Sequence, residues 1–184
     1  MKMIIAVIFL GILMHAFAKS CELMPAVKNF DSERYFKNPH MYVTHSKNGP
    51  KEKVCQEHEV IQKRPTFIKT FVLNVYNAGG KEHKILMDCI NKPKNGKPGQ
   101  FDVECEVRES GNKIQLETSV IATDYQNYAF LQSCSKADNT ENILVFEGNE
   151  KNVYPAVNSV FKAKKWSSDE WFSRKNVNCD DVKK

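Results

Sequence analysis

Short runs of alternating apolar and polar residues, broken by turn-forming clusters roughly every dozen positions, occupy this chain from Tyr42 to Glu147. They read as strands over Tyr42–Ser46, Val54–Gln62, Thr66–Tyr76, Glu82–Ile90, Gln100–Arg108, Lys113–Thr123, Tyr128–Ser135 and Ile143–Glu147. The clusters between them suit hairpins: Asn77-Ala78-Gly79-Gly80, Ser110-Gly111-Asn112, Asp124 to Asn127, and Asp138-Asn139. Phe101, Val103, Cys105 and Val107 alternate with Asp102, Glu104, Glu106 and Arg108, while Ile114, Leu116, Thr118 and Val120 alternate with mostly polar neighbours. One face of each strand therefore turns inward and the other meets water. Consecutive hairpins give up-and-down order, and such a meander removes its exposed edges by closing. The predicted fold class is all-β: an eight-stranded antiparallel up-and-down β-barrel, wide enough for one small ligand, with a C-terminal helix.

That helix comes from a second rhythm. Pro155 suits an early helical position, and Val157, Val160, Phe161 and Lys164 recur at helical spacing, laying an apolar side on the barrel. Ser167 to Glu170 has the capping-box pattern of a second short helix, with Trp166, Trp171 and Phe172 as its packing face. Helices are expected only at this end. At the other end, Met3 to Met14 is almost wholly apolar, follows Lys2 and precedes Ala16-Phe17-Ala18, the small-x-small pattern that signal peptidase cleaves. This run is well short of the roughly 20 residues that span a bilayer. Residues 1–18 are expected to be a signal peptide and residues 19–184 one exported domain, with no membrane anchor.

Export changes the meaning of the cysteines. All six, Cys21, Cys55, Cys89, Cys105, Cys134 and Cys179, lie after the signal segment, and an even number in an exported chain implies disulfides, with several pairings open. Cys89 and Cys105 flank the turn-rich stretch Asn91 to Gly99, so they can face each other across adjacent antiparallel strands, a bridge contributing about 3 kcal/mol. Wide spacings without C-x-x-C point away from zinc and from dithiol redox chemistry. The formal charge is +5, but basic residues are interleaved with acidic ones. Neither nucleic acid nor a membrane surface is expected as a partner, and the Lys-rich piece from Asn91 to Pro98 reads as a solvated loop. His40, His45, His58 and His83 are scattered rather than set at metal-ligand spacing, and there is no nucleophile elbow. No metal, cofactor or catalytic activity is expected, and the absence of an N-x-S/T sequon predicts a chain without N-linked sugar.

Thr123-Asp124-Tyr125-Gln126-Asn127-Tyr128-Ala129 resembles the second lipocalin motif, T-D-Y-x-x-Y-A, and falls on the predicted turn and strand where that motif belongs. The first motif, G-x-W-Y, is represented by Pro39-His40-Met41-Tyr42. Its glycine and tryptophan are lost, a departure expected to loosen the barrel floor. End to end, the chain resembles the salivary lipocalins of blood-feeding triatomine bugs, in the pallidipin, triplatin and dipetalodipin group. The resemblance rests on Asn29-Phe30-Asp31 with Tyr35-Phe36, Tyr42 to Ser46 before Asn48 to Lys51, Glu117 to Ala122, and Trp171 to Arg174 before Cys179. It implies disulfides Cys21–Cys134 and Cys55–Cys179, with Cys89–Cys105 as the local bridge. It further implies a monomeric protein secreted in saliva that inhibits platelet aggregation by sequestering a small hydrophobic mediator, an eicosanoid such as thromboxane. Sequestration is stoichiometric and needs no catalytic group.

The implied bridges suggest which side chains meet such a ligand. If Cys55 and Cys134 point outward to their partners, alternation directs Val54, Gln56 and His58 inward on one strand and Ala129, Leu131 and Ser133 inward on another. Met41, Val43 and His45 form the inward set of the first strand, by analogy with the motif tryptophan that Met41 replaces. On the third strand the more apolar set is Phe67, Phe71, Leu73 and Val75, and Lys69 shares its direction. Lys69 either meets a ligand carboxylate or snorkels to solvent near a barrel end; in the first case Lys69 and a protonated His58 would face an anion. Eicosanoid-binding members of the resembled group carry Arg directly after the cysteine where Gln56 stands, so a neutral amide replaces a guanidinium here. Two other readings stay open: a surface-mediated inhibitor of a host haemostatic protein, as in triabin, acting through loops such as Asn48 to Glu52, and a nucleotide or biogenic-amine scavenger. Glu57 and Glu59 share the outward direction of Cys55, which leaves an amine without a counter-ion.

Overall fold

The computed structural model describes residues 20–49, 54–78, 81–149, 153–174 and 179. The expected signal peptide, the Gly79-Gly80 turn tip and most of the Asn48 to Glu52 loop lie outside them. Eight antiparallel strands run in sequence order round a barrel: β1 (His40–Ser46), β2 (Val54–Arg64), β3 (Phe67–Ala78), β4 (Lys81–Pro93), β5 (Gln100–Val107), β6 (Lys113–Thr123), β7 (Tyr128–Ser135) and β8 (Glu141–Glu147). The circle closes because β1 pairs with both β8 and β2. These are the expected eight strands, several of them longer by one to three residues at an end.

The helix expected at Pro155 is present as α2 (Pro155–Lys164). Its buried Val157 and Phe161 pack on Phe130, Ile143 and Val145, which face outward from β7 and β8. The expected capping box does not form. Ser167 makes no side-chain cap, and the segment is a single 3-10 turn, Ser168–Glu170, followed by a two-residue strand, β9 (Phe172–Ser173). Trp171 is drawn instead onto Phe161, with ring centroids 4.9 Å apart, while β9 pairs with His45 and Ser46 of β1. A one-turn helix, α1 (Ser32–Tyr35), corrects the expectation that helices occur only at the C-terminus. Asp31 caps it by accepting a hydrogen bond from the Arg34 amide at 3.0 Å.

This turn carries the floor of the barrel. Phe36, which follows α1, is buried edge-on to Phe101 with centroids 5.5 Å apart, and Phe30 and Tyr35 complete the cluster. Four aromatic rings thus pack against one another at this end of the barrel. The β6–β7 loop supports them from below. Asp124 Oδ1 accepts from the backbone amides of Gln126, Asn127 and Tyr128 at 3.0, 2.7 and 3.1 Å. The resulting turn holds Tyr125 at φ 67°, where its ring meets Phe30 and the Arg34 guanidinium and its hydroxyl accepts from the Asp31 amide.

Two straps bind the chain ends to the outer wall. The amino-terminal strap crosses β6 and β7 and ends in the Cys21–Cys134 disulfide. Buried Gln132 accepts from the Met24 amide at 2.6 Å and donates to the Glu22 carbonyl at 3.0 Å, and Ser119 donates to the Met24 carbonyl at 2.7 Å. The carboxy-terminal strap covers the seam between β1 and β2. Those strands share only the pairs His40–Glu59, Met41–His58 and Tyr42–Glu57 before they part. Arg174, 3% exposed, donates to Glu57 at 3.0 Å and to the Gln56 carbonyl at 3.2 Å, and lies over the Tyr42 ring. His40 approaches the other Glu57 oxygen at 3.1 Å. Beyond this group the Cys55–Cys179 disulfide fastens the strap to β2.

Two outcomes follow. Asp124→Ala removes the acceptor of three backbone amides and is expected to lower stability by about 2–4 kcal/mol in urea unfolding. Burial pulls the Asp124 carboxyl up, but its side-chain and backbone donors outweigh this and hold it below its ordinary value. Its contribution is present above the unfolded pKa near 4 and fades as pH falls through the folded value, so Asp124→Asn flattens the acid limb of stability. Arg174→Met strands a buried carboxylate and is expected to cost about 3 kcal/mol; adding Glu57→Gln recovers part of it in a double-mutant cycle. A single variant without loss removes Arg174 from that role.

Candidate ligand-binding cavity

Alternate residues of each strand form the inner wall. Thr70 and Val72 on β3, Met87 and Cys89 on β4, Phe101, Val103 and Cys105 on β5, Leu116 and Thr118 on β6, and Leu144 and Phe146 on β8 line one cavity. Cys89 and Cys105 are register partners, and their disulfide is part of that wall. The cavity has a volume of about 150 Å³ and is open to solvent on one side.

Of the residues expected inside, Met41, Gln56, His58, Leu131 and Ser133 line the cavity. Val43 packs in the interior wall with Ala129, Leu144 and Phe146, 3% exposed. The inward directions expected for His45, Lys69 and Phe71 are corrected. A register shift between Val43 and His45 in the β1–β8 pairing reverses the side of the strand. His45 consequently faces α2, with its ring 5.5 Å from that of Phe161. On β3 the opposite set turns inward because Thr70 lies beside Cys89 and Val72 beside Met87, and lateral neighbours in a sheet share a face. Lys69 and Phe71 are on the outer wall, where Lys69 Nζ lies 3.7 Å from Asp88 and the Arg108 guanidinium covers the Phe71 ring at 4.5 Å. Two hydrogen bonds from Arg108 hold the Asp88 carboxyl below its usual range. Val75 likewise points outward, against Cys55 and Cys179.

The chemistry of the cavity is neutral. Among the described residues, no Asp, Glu, Lys or Arg lines it. Gln56 Nε2 lies 3.0 Å from His58 Nε2, and the His58 ring stands edge-on to Phe146 with centroids 4.6 Å apart. Burial, with the neighbouring His40 second, pushes the His58 pKa down to about 3, so the ring is uncharged at neutral pH and accepts from the Gln56 amide. Asn91 donates to the Ile68 carbonyl and the Thr70 hydroxyl, both at 3.0 Å, and is thus turned to the wall. Burial also raises the Tyr35 phenol. The arrangement offers apolar contact and neutral hydrogen bonds. Val72, Met87, Phe101 and Val103 were not among the expected ligand contacts, although the Phe101–Cys105 alternation already marks two of them as inward.

Comparison with known proteins agrees with this geometry. The Triabin family model matches residues 16–160. The chain is 52% identical to pallidipin of Meccus pallidipennis, with 100% of both chains covered. It is 41% identical to platelet inhibitor triplatin-2 of Triatoma infestans, over 97% of this chain and 100% of the other. Among solved structures, the amine-binding protein of Rhodnius prolixus in its tryptamine complex superposes with a TM-score of 0.73 at 22% identity, covering 89% of this chain and 92% of that one. The same barrel thus persists where most side chains differ. The chain belongs to the Triabin family, and its barrel is a lipocalin barrel.

Proposed function

We propose that this protein is a salivary antagonist of platelets that holds a small lipid mediator of the eicosanoid class, with thromboxane first among them, inside its barrel. The observation that carries this reading is a cavity walled by apolar side chains and a disulfide, with neutral polar groups and no charged one among the described residues. Such a wall desolvates hydrocarbon favourably, at roughly 25 cal/mol per Å². The three disulfides suit a secreted protein, and removal of residues 1–18 as a signal peptide belongs to the same proposal. Full-length similarity to a protein named as a platelet inhibitor supports the physiological target.

Charged alternatives find no partner in the cavity. A protonated amine, the ligand type of the Rhodnius neighbour, needs a carboxylate, and buried Glu57 is engaged outside the barrel by Arg174 and His40. A nucleotide needs cations, whereas Lys69 lies on the outer wall and His58 is neutral. Burying an unpaired charge costs several kcal/mol, more than the remaining contacts return.

Calorimetric titration of residues 19–184, refolded with its disulfides, against a stable thromboxane mimic, other eicosanoids, serotonin and ADP tests the reading. Saturable one-to-one binding of an eicosanoid is expected, with no heat from serotonin or ADP. Leu131→Trp fills the cavity and is expected to lower eicosanoid affinity at least about tenfold while leaving the far-ultraviolet circular dichroism unchanged. Silence across the panel transfers the activity to a protein target outside the barrel.

A further inference from the structure

Resting on that reading, we infer that the cavity takes the uncharged part of a lipid ligand, oriented by the Gln56–His58 pair, and leaves its carboxylate in water at the open end of the barrel. The enclosed space, about 150 Å³, is of the size that accommodates a benzene-like group. It is too small for a whole twenty-carbon acid, so part of such a ligand extends beyond it toward solvent. Which end goes in is decided by charge. Beside that pair the wall is made of Phe101, Val72, Val103 and the Cys89–Cys105 bridge, with uncharged polar groups such as Thr70, Thr118 and Ser133 between them. A carboxylate placed there meets no cation among the described lining residues, and the His58 ring, packed edge-on to Phe146, is held in its neutral form by burial.

The pair has the valences that a hydroxyl or ether needs. With His58 Nε2 accepting one Gln56 N–H at 3.0 Å, the amide presents its second N–H and its carbonyl oxygen, one donor and one acceptor. Gln56 is on β2 above Met41 and His58 in the register, on the same inward side. It therefore stands between the aromatic floor and the open end, level with the middle of a bound chain rather than its tip. A ligand carrying neutral oxygen functions partway along a hydrocarbon chain matches this placement. Recognition then depends on those oxygens and on apolar length, not on the acid.

The test compares a stable thromboxane mimic as its free acid and as its methyl ester, titrated calorimetrically into wild-type protein and into Gln56→Leu. The ester is expected to bind within roughly threefold of the acid, and the acid's affinity to change less than about twofold between about 0.05 and 0.5 M salt. Gln56→Leu is expected to weaken acid and ester alike by about five- to tenfold, the equivalent of one neutral hydrogen bond. An acid that binds more than about tenfold tighter than its ester, or that is released by salt, overturns the inference while leaving eicosanoid sequestration intact. Failure of both forms to bind overturns the functional reading and this inference together. The wild-type acid-to-ester ratio decides the matter even where Gln56→Leu does not fold.

Discussion

A closed barrel must be joined between every pair of neighbouring strands, and here the join between β1 and β2 is short. Three residue pairs link β1 to β2 before the strands part, in contrast to the long ladders between β2, β3 and β4. Backbone hydrogen bonds alone would leave the seam open to water beside Gln56, on the wall of the cavity. The carboxy-terminal strap closes it by bringing β9 onto β1, Arg174 onto Glu57 and Cys179 onto Cys55. The buried ion pair works because neither charge is stranded: Glu57 also meets His40, and the Arg174 guanidinium also meets a carbonyl and the Tyr42 face. Each long-range disulfide closes a loop of more than a hundred residues, worth about 4–5 kcal/mol in chain-entropy terms. A small barrel whose interior is partly hollow gives up packing energy at its centre, and the straps supply stability from outside.

Most of the architecture was legible because each strand carries its own local signals. The eight runs, their hairpins, the helix at Pro155 and the Asp124 turn all rest on contacts close in sequence. What was not legible depends on counting residues between strands. One irregularity between Val43 and His45 reverses every side chain beyond it, and nothing in His-Met-Tyr-Val-Thr-His-Ser announces it. The third strand failed for a different reason: its more hydrophobic face is the outer one, half covered by Arg108 and by the strap disulfide. Hydrophobicity was a poor guide to direction there, because an outer wall covered by other segments is itself a core.

A better guide was present. Ala78 stands opposite Lys81 and, in the same register, Thr70 opposite Cys89; Cys89 opposite Cys105 then joins β3 to the clear alternation of β5. Following register from the least ambiguous strand would have turned Val72 and Met87 inward and Lys69 outward. α1 was missed because a single turn has too few residues for periodicity to show; only the Asp31 cap marks it. Trp171 was correctly read as packing, but its partners are on α2 and the barrel rather than on a second helix.

The neutrality of the cavity constrains how affinity can arise. A scavenger must hold its ligand against a receptor, and a dissociation constant near 1 nM corresponds to about −12 kcal/mol. Burying roughly 400 Å² of hydrocarbon contributes about 10 kcal/mol before costs, and lost freedom of motion removes at least about 4 kcal/mol of that. Apolar contact therefore reaches only the micromolar range, and no ion pair is at hand inside the barrel to add to it. The difference has to come from groups whose ordering cost is met before the ligand arrives. Gln56 is so placed: its side-chain amide donates to His58, its main-chain carbonyl accepts from Arg174, and its strand is tied by the Cys55 bridge. The straps and the pocket thus meet at one residue, because the contacts that close the seam also hold the main chain of the strand that carries Gln56.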